Sequence, residues 1–76
     1  MAKRDVVELT PDLLARLRTE AGLSQPELAD KVGVSPASVQ SWELGRRQMS
    51  EVAARSVARV LNIKGYVVPK TRVVEG

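Results

Sequence analysis

Between Ser35 and Ser50 the chain gathers groups that exchange hydrogen bonds and carry positive charge. They are the hydroxyls of Ser35, Ser38, Ser41 and Ser50, the carboxamide of Gln40, and the adjacent guanidiniums of Arg46 and Arg47. A carboxamide can donate to and accept from one base edge at the same time, and arginines neutralise phosphates, so this chemistry suits recognition of a polyanion. It does not suit bond-making. The 76 residues contain no histidine and no cysteine, which removes an imidazole base, a thiolate nucleophile and the usual zinc ligands. Glu27 and Asp30 have no partner that would make them catalytic. The chain is therefore expected not to be an enzyme and to use no cofactor or metal. Twelve Lys and Arg against nine Asp and Glu give a net charge of +3, which favours a polyanionic partner without requiring one.

The elements that must position these groups can be read from the spacing of small and apolar residues. From Gln25 to Leu44 the sequence is QPELADKVGVSPASVQSWEL. Ala29 allows a second helix to approach closely, and Gly33 can take the positive φ that ends a first helix. Val39 and Trp42, three apart, form the buried stripe of the helix that follows. Ser24 with Glu27 is a capping box opening the first of these helices, expected over residues 25–32. Ser35-Pro36 caps the second, expected over 36–44, with Gly45 as its stop. Two short helices crossing at a tight turn make a helix-turn-helix, with residues 36–44 as the recognition helix.

Further elements flank this unit. Thr10-Pro11-Asp12 is a cap, a helix-compatible proline and a first-turn carboxylate, opening a helix over 11–21. Leu9 and Leu14 are placed to staple that cap, and Leu13, Leu14, Leu17 and Ala21 form its stripe up to Gly22. Ser50 opens a fourth helix over 51–61, with Val52, Ala53, Val57, Val60 and Leu61 as the expected buried face. Beyond Asn62, Gly65 and Pro69 break helix while Tyr66-Val67-Val68 and Thr71-Arg72-Val73-Val74 favour strand. A hairpin around Pro69-Lys70 is one arrangement of this tail. Asp5 to Leu9 offers another strand, which gives a small sheet of N- and C-terminal segments beside the helices, and packing of the valines on the helices is the third arrangement. The expected fold is mainly α: a single four-helix domain over residues 1–76, with a short β segment in an extended tail from residue 64.

The stretch LLARLRTEAGLSQPELADKVGVSPASVQSWELGRRQMS resembles the helix-turn-helix of phage repressor and Cro proteins and of the bacterial regulators similar to them. The likeness covers about residues 13–63. It is carried by Arg18 with Gly22-Leu23-Ser24-Gln25, by Leu28-Ala29 and Gly33-Val34-Ser35, and by Trp42-Glu43-Leu44-Gly45-Arg46-Arg47. The resemblance implies that Arg18 pairs with Glu43, tying the first helix to the recognition helix. Elementary electrostatics agrees that a carboxylate at a helix C-terminus needs a cation. It further implies phosphate contacts from Gln25, with Ser24 beside it, and from the loop at Arg46 and Arg47. Two arginines followed by the N-terminus opened at Ser50 read independently as a phosphate clamp.

The positions that often read bases in such proteins are here Pro36, Ala37 and Ser41, which have little reach. Gln40, Ser38 and Ser35 are left as polar candidates. Gln40 can bond adenine bidentately, while Pro36 and Ala37 can pack on thymine methyls. Met49 stands where many relatives have proline, and the fifth helix through which many relatives dimerise is missing. Tyr66, Val67, Val68, Val73 and Val74 are the expected substitute as a dimer contact. Trp42 belongs to the core by its register with Val39, which argues against binding single strands by stacking. Lys3 and Arg4 read as an ordinary basic terminus.

The function expected is a sequence-specific double-stranded DNA-binding regulator, a repressor or Cro-like protein that occupies an inverted-repeat operator as a homodimer. The alternative is a protein-interaction module, an antitoxin or antirepressor, in which the tail neutralises a partner protein. With no signal-like or membrane-spanning stretch, the expected location is the cytoplasm.

Overall fold

Each helix begins where a side-chain oxygen satisfies an otherwise unpaired N–H of its first turn. The computed structural model describes residues 5–70. In chain order the elements are β1 (Val6–Leu9), α1 (Pro11–Glu20), α2 (Gln25–Val32), α3 (Pro36–Glu43), α4 (Glu51–Leu61) and β2 (Tyr66–Pro69). Thr10 Oγ1 accepts from the Leu13 N–H at 3.2 Å and Ser24 Oγ from that of Glu27 at 3.1 Å. Ser35 Oγ accepts from Ser38 at 3.3 Å, and Ser50 Oγ from Ala53 at 3.0 Å. Helices α1 and α3 stop one residue before the expected ends, with Ala21 and Leu44 as their C-caps.

Leu14 of α1, Leu28 and Ala29 of α2, Val39 and Trp42 of α3, and Ala54 and Val57 of α4 form the centre of the core. Leu9, stapled to Leu14 across the first cap, joins them from β1, and Val67 joins from β2. The turn between α2 and α3 closes on one acceptor: the Ala29 carbonyl takes the N–H groups of Gly33 at 2.8 Å and Val34 at 2.9 Å. That closure needs Gly33 at φ +89°, a conformation natural to glycine. With no side chain beyond Cβ at Ala29, α2 and α3 pack closely at their crossing.

Helix α4 differs from expectation on one residue. Val52 is 71% exposed, whereas Ala54 is fully buried. Ala54 and Val57, three apart, define the inward stripe, and Val52 lies two residues, or about 200°, from Ala54. Ala53, Val60 and Leu61 flank the stripe and are half-buried.

The tail takes one of the expected arrangements, a small sheet of the N- and C-terminal segments beside the helices. Strand β2 runs parallel to β1, with Val6 opposite Tyr66 and Leu9 opposite Pro69. The N–H of Tyr66 donates to the Asp5 carbonyl at 2.7 Å and that of Lys70 to Leu9 at 3.2 Å. The ladder partner of β2 is thus the N-terminal segment. A hairpin at Pro69-Lys70 would need Thr71 to Val74, which lie outside the described residues. Side chains alternate across the sheet, so Leu9 and Val67 point into the core while Val6, Glu8, Tyr66 and Val68 share the other face. Among the described residues no helix is long and apolar enough to cross a membrane.

Two glycines make a measurable contrast. A Cβ added at Gly33 would meet nothing within 4 Å, whereas at Gly65, with φ +101°, it would lie 2.8 Å from the Asp5 carbonyl oxygen. That oxygen is held by Tyr66 and cannot retreat without breaking the first rung of the sheet. Gly33→Ala is expected to cost about 1–2 kcal/mol of conformational strain. Gly65→Ala should cost more, detaching β2; thermal unfolding midpoints that fall equally would disprove the difference.

The capping box supplies a pH test. The backbone N–H of Ser24 donates to Glu27 Oε1 at 2.8 Å and, with the Ser24 hydroxyl, holds the Glu27 carboxyl below its ordinary value of 4.5. A depressed folded-state value means stability that is present above the ordinary value and lost as pH falls through the depressed one. Glu27→Gln should flatten that acid limb in urea titrations at a series of pH values, and an unchanged limb would remove the box as its source.

Candidate nucleic-acid interface

Glu43 ends α3, facing the negative pole of that helix, and its carboxylate is nearly buried, with 7% of the side chain exposed. The compensation comes from α1. Arg18 donates from Nε to Glu43 Oε2 at 2.6 Å and from Nη2 to Oε1 at 3.1 Å, a two-pronged pair. Its Nη1 donates to the Leu23 carbonyl at 2.8 Å, while the Leu23 N–H returns a bond to the Arg18 carbonyl at 3.1 Å. One side chain therefore fastens α1, the loop before α2, and the end of α3. The hydrogen bond to Glu43 holds the Arg18 guanidinium even further above its already high range, with burial opposing and the carboxylate's charge adding.

Gln25, at the first position of α2, completes the cluster. Its Nε2 donates to Glu43 Oε1 at 2.9 Å. Sequence reasoning assigns Gln25 a phosphate contact and misses this bond, which two residues eighteen apart in sequence do not announce. A carboxamide nitrogen carries two N–H groups, so one remains for another acceptor. The neighbouring Ser24 and the later Ser50 accept backbone N–H groups as caps.

On the other side of α3, Pro36, Ala37, Gln40 and Leu44 are exposed, while Val39 and Trp42 face the core. At 100° per residue, positions 36, 37, 40 and 44 fall on one strip. The hydroxyls of Ser35 and Ser38 lie 3.1 Å apart and bond each other at the head of the helix. Ser41 is half-buried, and its carbonyl accepts the N–H of Arg46 at 2.9 Å and of Arg47 at 3.4 Å. That pair of bonds fixes the loop after α3. Both guanidiniums are exposed and have no ion-pair partner among the described residues, unlike Arg16 with Glu20, Arg55 with Glu51 and Lys70 with Glu8.

Trp42 is 6% exposed and belongs to the core cluster with Leu9 and Met49. Met49, which stands where many relatives have proline, is itself core. Of the expected dimer residues, Val67 is a correction: it is 6% exposed and belongs to the domain's own core, because β2 docks that side chain against the helices. Tyr66 and Val68 stay on the outer sheet face, and Val73 and Val74 lie outside the described residues. Lys3 and Arg4 also lie outside them.

Comparison with known proteins places this geometry in context. A family model described as a helix-turn-helix domain matches residues 12–75. A putative multi-protein-binding factor 1 of Yarrowia lipolytica is 43% identical over 47 residues, which are 62% of this chain and 31% of that protein. The chain thus spans about a third of that relative's length. An uncharacterized HTH-type transcriptional regulator of Methanothermobacter thermautotrophicus is 41% identical over 49 residues, 64% of this chain and 71% of that protein. Among solved structures, a chain of a SinR protein/SinI protein complex aligns with a TM-score of 0.69 at 28% identity, covering 74% of this chain and 55% of that one.

The Arg18–Glu43 pair has a quantitative consequence. Breaking a fully buried pair by removing one partner costs about 3–5 kcal/mol. With 16% of the Arg18 side chain exposed, Arg18→Ala and Glu43→Ala should each cost somewhat less, about 2–3 kcal/mol. The double mutant should be less destabilised than the two singles added together. A thermal-unfolding cycle with strictly additive effects would deny the coupling.

Proposed function

The chain belongs to the helix-turn-helix domain family and has the make-up of its DNA-binding transcription regulators, and we propose that it is a repressor or Cro-like protein that acts by occupying an operator in duplex DNA. The observation that carries this reading is the exposed strip of α3 followed directly by two uncompensated arginines. A helix about 10–12 Å across enters the major groove, and cations at its end neutralise flanking phosphates.

In this reading Gln40 is the principal base reader, with Ser38, Ser41 and Ser35 as lesser polar contacts and Pro36 and Ala37 as apolar ones. Arg46 and Arg47, the free N–H of Gln25, and the Ser24 and Ser50 hydroxyls hold the backbone. No cofactor takes part and no chemistry is performed on the DNA. Binding as a homodimer places two recognition helices about 34–36 Å apart on an inverted repeat. The outer sheet face, where Val6 is 62% exposed beside Tyr66 and Val68, is the contact we assign to the second copy.

A second reading has one observation in its favour. The similar solved chain comes from a complex of two proteins, SinR and SinI. In that reading the same outer sheet face receives a partner protein and controls DNA binding.

Phosphate neutralisation makes a direct test. The affinity for duplex DNA should fall steeply with salt, and the double variant Arg46→Ala, Arg47→Ala should bind every sequence more weakly with a slope shallower by about 2 in log–log form. Titrations from low to physiological salt in which both proteins show one slope would take these arginines out of the interface.

A further inference from the structure

The exposed strip of α3 contains no charged side chain. The only charged residue of the helix is Glu43, and both of its oxygens are engaged by Arg18 and Gln25. This restricts which bases α3 can read. Guanine is read most often by arginine or lysine reaching O6 and N7, and α3 has neither; cytosine's amino group calls for a carboxylate acceptor, and the one carboxylate is occupied. Ser38 is tied to Ser35 at 3.1 Å, and Ser41 is half-buried.

What remains exposed is one carboxamide set among apolar groups. Gln40 has Ala37 one turn before it and Leu44 one turn after it, with Pro36 beside Ala37 on the same strip. Leu44 is 52% exposed, one of the large hydrophobic side chains the fold leaves in solvent. It is capped in αR geometry at φ −84°, so it continues the helical strip rather than leaving it. A carboxamide matches N6 and N7 of adenine, and exposed apolar groups match the 5-methyl of thymine, the one apolar feature of the major-groove base edges.

We infer that the base pairs read directly by α3 are A·T pairs, adenine by Gln40 and flanking thymine methyls by Ala37 and Pro36 on one side and by Leu44 on the other. From Ala37 to Leu44 the helix rises about 10 Å, the span of about three base pairs. The core of each half-site is therefore a run of about three A·T pairs. Leu44 is a specificity residue that neither the sequence pattern nor the family match singles out. This inference rests on the proposed operator binding and goes beyond it by naming the sequence class of the operator.

The test uses the full chain and a library of random duplexes. Selection should enrich a half-site whose core is A·T throughout. In the selected duplex, each thymine is then replaced in turn by deoxyuridine, which removes the 5-methyl and leaves pairing intact. Wild-type affinity should drop about fourfold at the flanking positions, the equivalent of unburying one methyl-sized group. Leu44→Ala should bind the uracil and thymine duplexes equally at one of those positions, and Gln40→Ala should lose the adenine preference between them. Both side chains are exposed, so neither variant threatens the fold.

A G·C pair at the position whose preference Gln40→Ala abolishes, or indifference of the wild type to every thymine-to-uracil change, overturns the inference. Binding to duplex DNA with no sequence preference overturns it as well while leaving backbone recognition intact. Failure to bind any duplex overturns operator binding itself.

Discussion

A carboxylate at the C-terminal end of a helix opposes the helix dipole, and one that is also nearly buried has lost most of its water. Glu43 bears both penalties, and the arrangement of the domain follows from how they are met. Arg18 crosses from α1 to bind both carboxylate oxygens, and Gln25 reaches from the start of α2 to one of them. Three helices are thereby pinned at one point, each by a side chain whose geometry is directional. Hydrophobic contact between Leu28, Val39 and Trp42 draws the helices together but does not fix their rotation. The polar cluster does, and the rotation of α3 decides which of its residues face outward. Putting Pro36, Ala37, Gln40 and Leu44 on the outside is in this sense a consequence of where Glu43 is held.

The start of every helix is legible in the sequence because capping is local chemistry. Thr10, Ser24, Ser35 and Ser50 each sit one residue before a helix, and their oxygens do what short-range geometry requires of them. The turn at Gly33 is legible for the same reason. The Arg18–Glu43 contact comes from family resemblance together with the dipole argument, since nothing in a separation of twenty-five residues indicates proximity. Gln25 shows where local reading stops. The resemblance implies a phosphate contact for it, and its bond to Glu43 becomes visible only once the ends of α2 and α3 are in space.

One failure and one open choice have a common cause. Val52 reads as core because apolar residues are dense in α4, so several stripes fit the pattern. Ala54, small and easily overlooked, is fully buried instead, on a helix that packs against both β2 and α2. For the tail, the sheet with Asp5 to Leu9 is one of three arrangements the sequence allows. Tyr66, Val67 and Val68 clearly prefer strand, but propensity names no partner. The partner is set by Gly65, whose φ of +101° turns the chain so that Tyr66 meets Asp5, and by the need to bury Val67.

The division of labour at the interface follows from the same constraints. Affinity for DNA comes mainly from charge, which is indifferent to sequence, whereas discrimination comes from groups that fit one base edge and leave others unpaired. Under the proposed function the two are separated along the chain. The arginines lie past the end of α3 on a loop fixed by the Ser41 carbonyl, and the helix itself presents an uncharged strip. A charged strip would strengthen binding to every sequence alike and would put more like charge beside Arg46 and Arg47. An uncharged one makes α3 a weak binder by itself and leaves its contribution almost wholly to selectivity. Such a helix must then be held rigidly, because a methyl contact is lost over a displacement of about 1 Å. The stiff coupling of α3 to α1 and α2 through Glu43 is what the proposed reader requires.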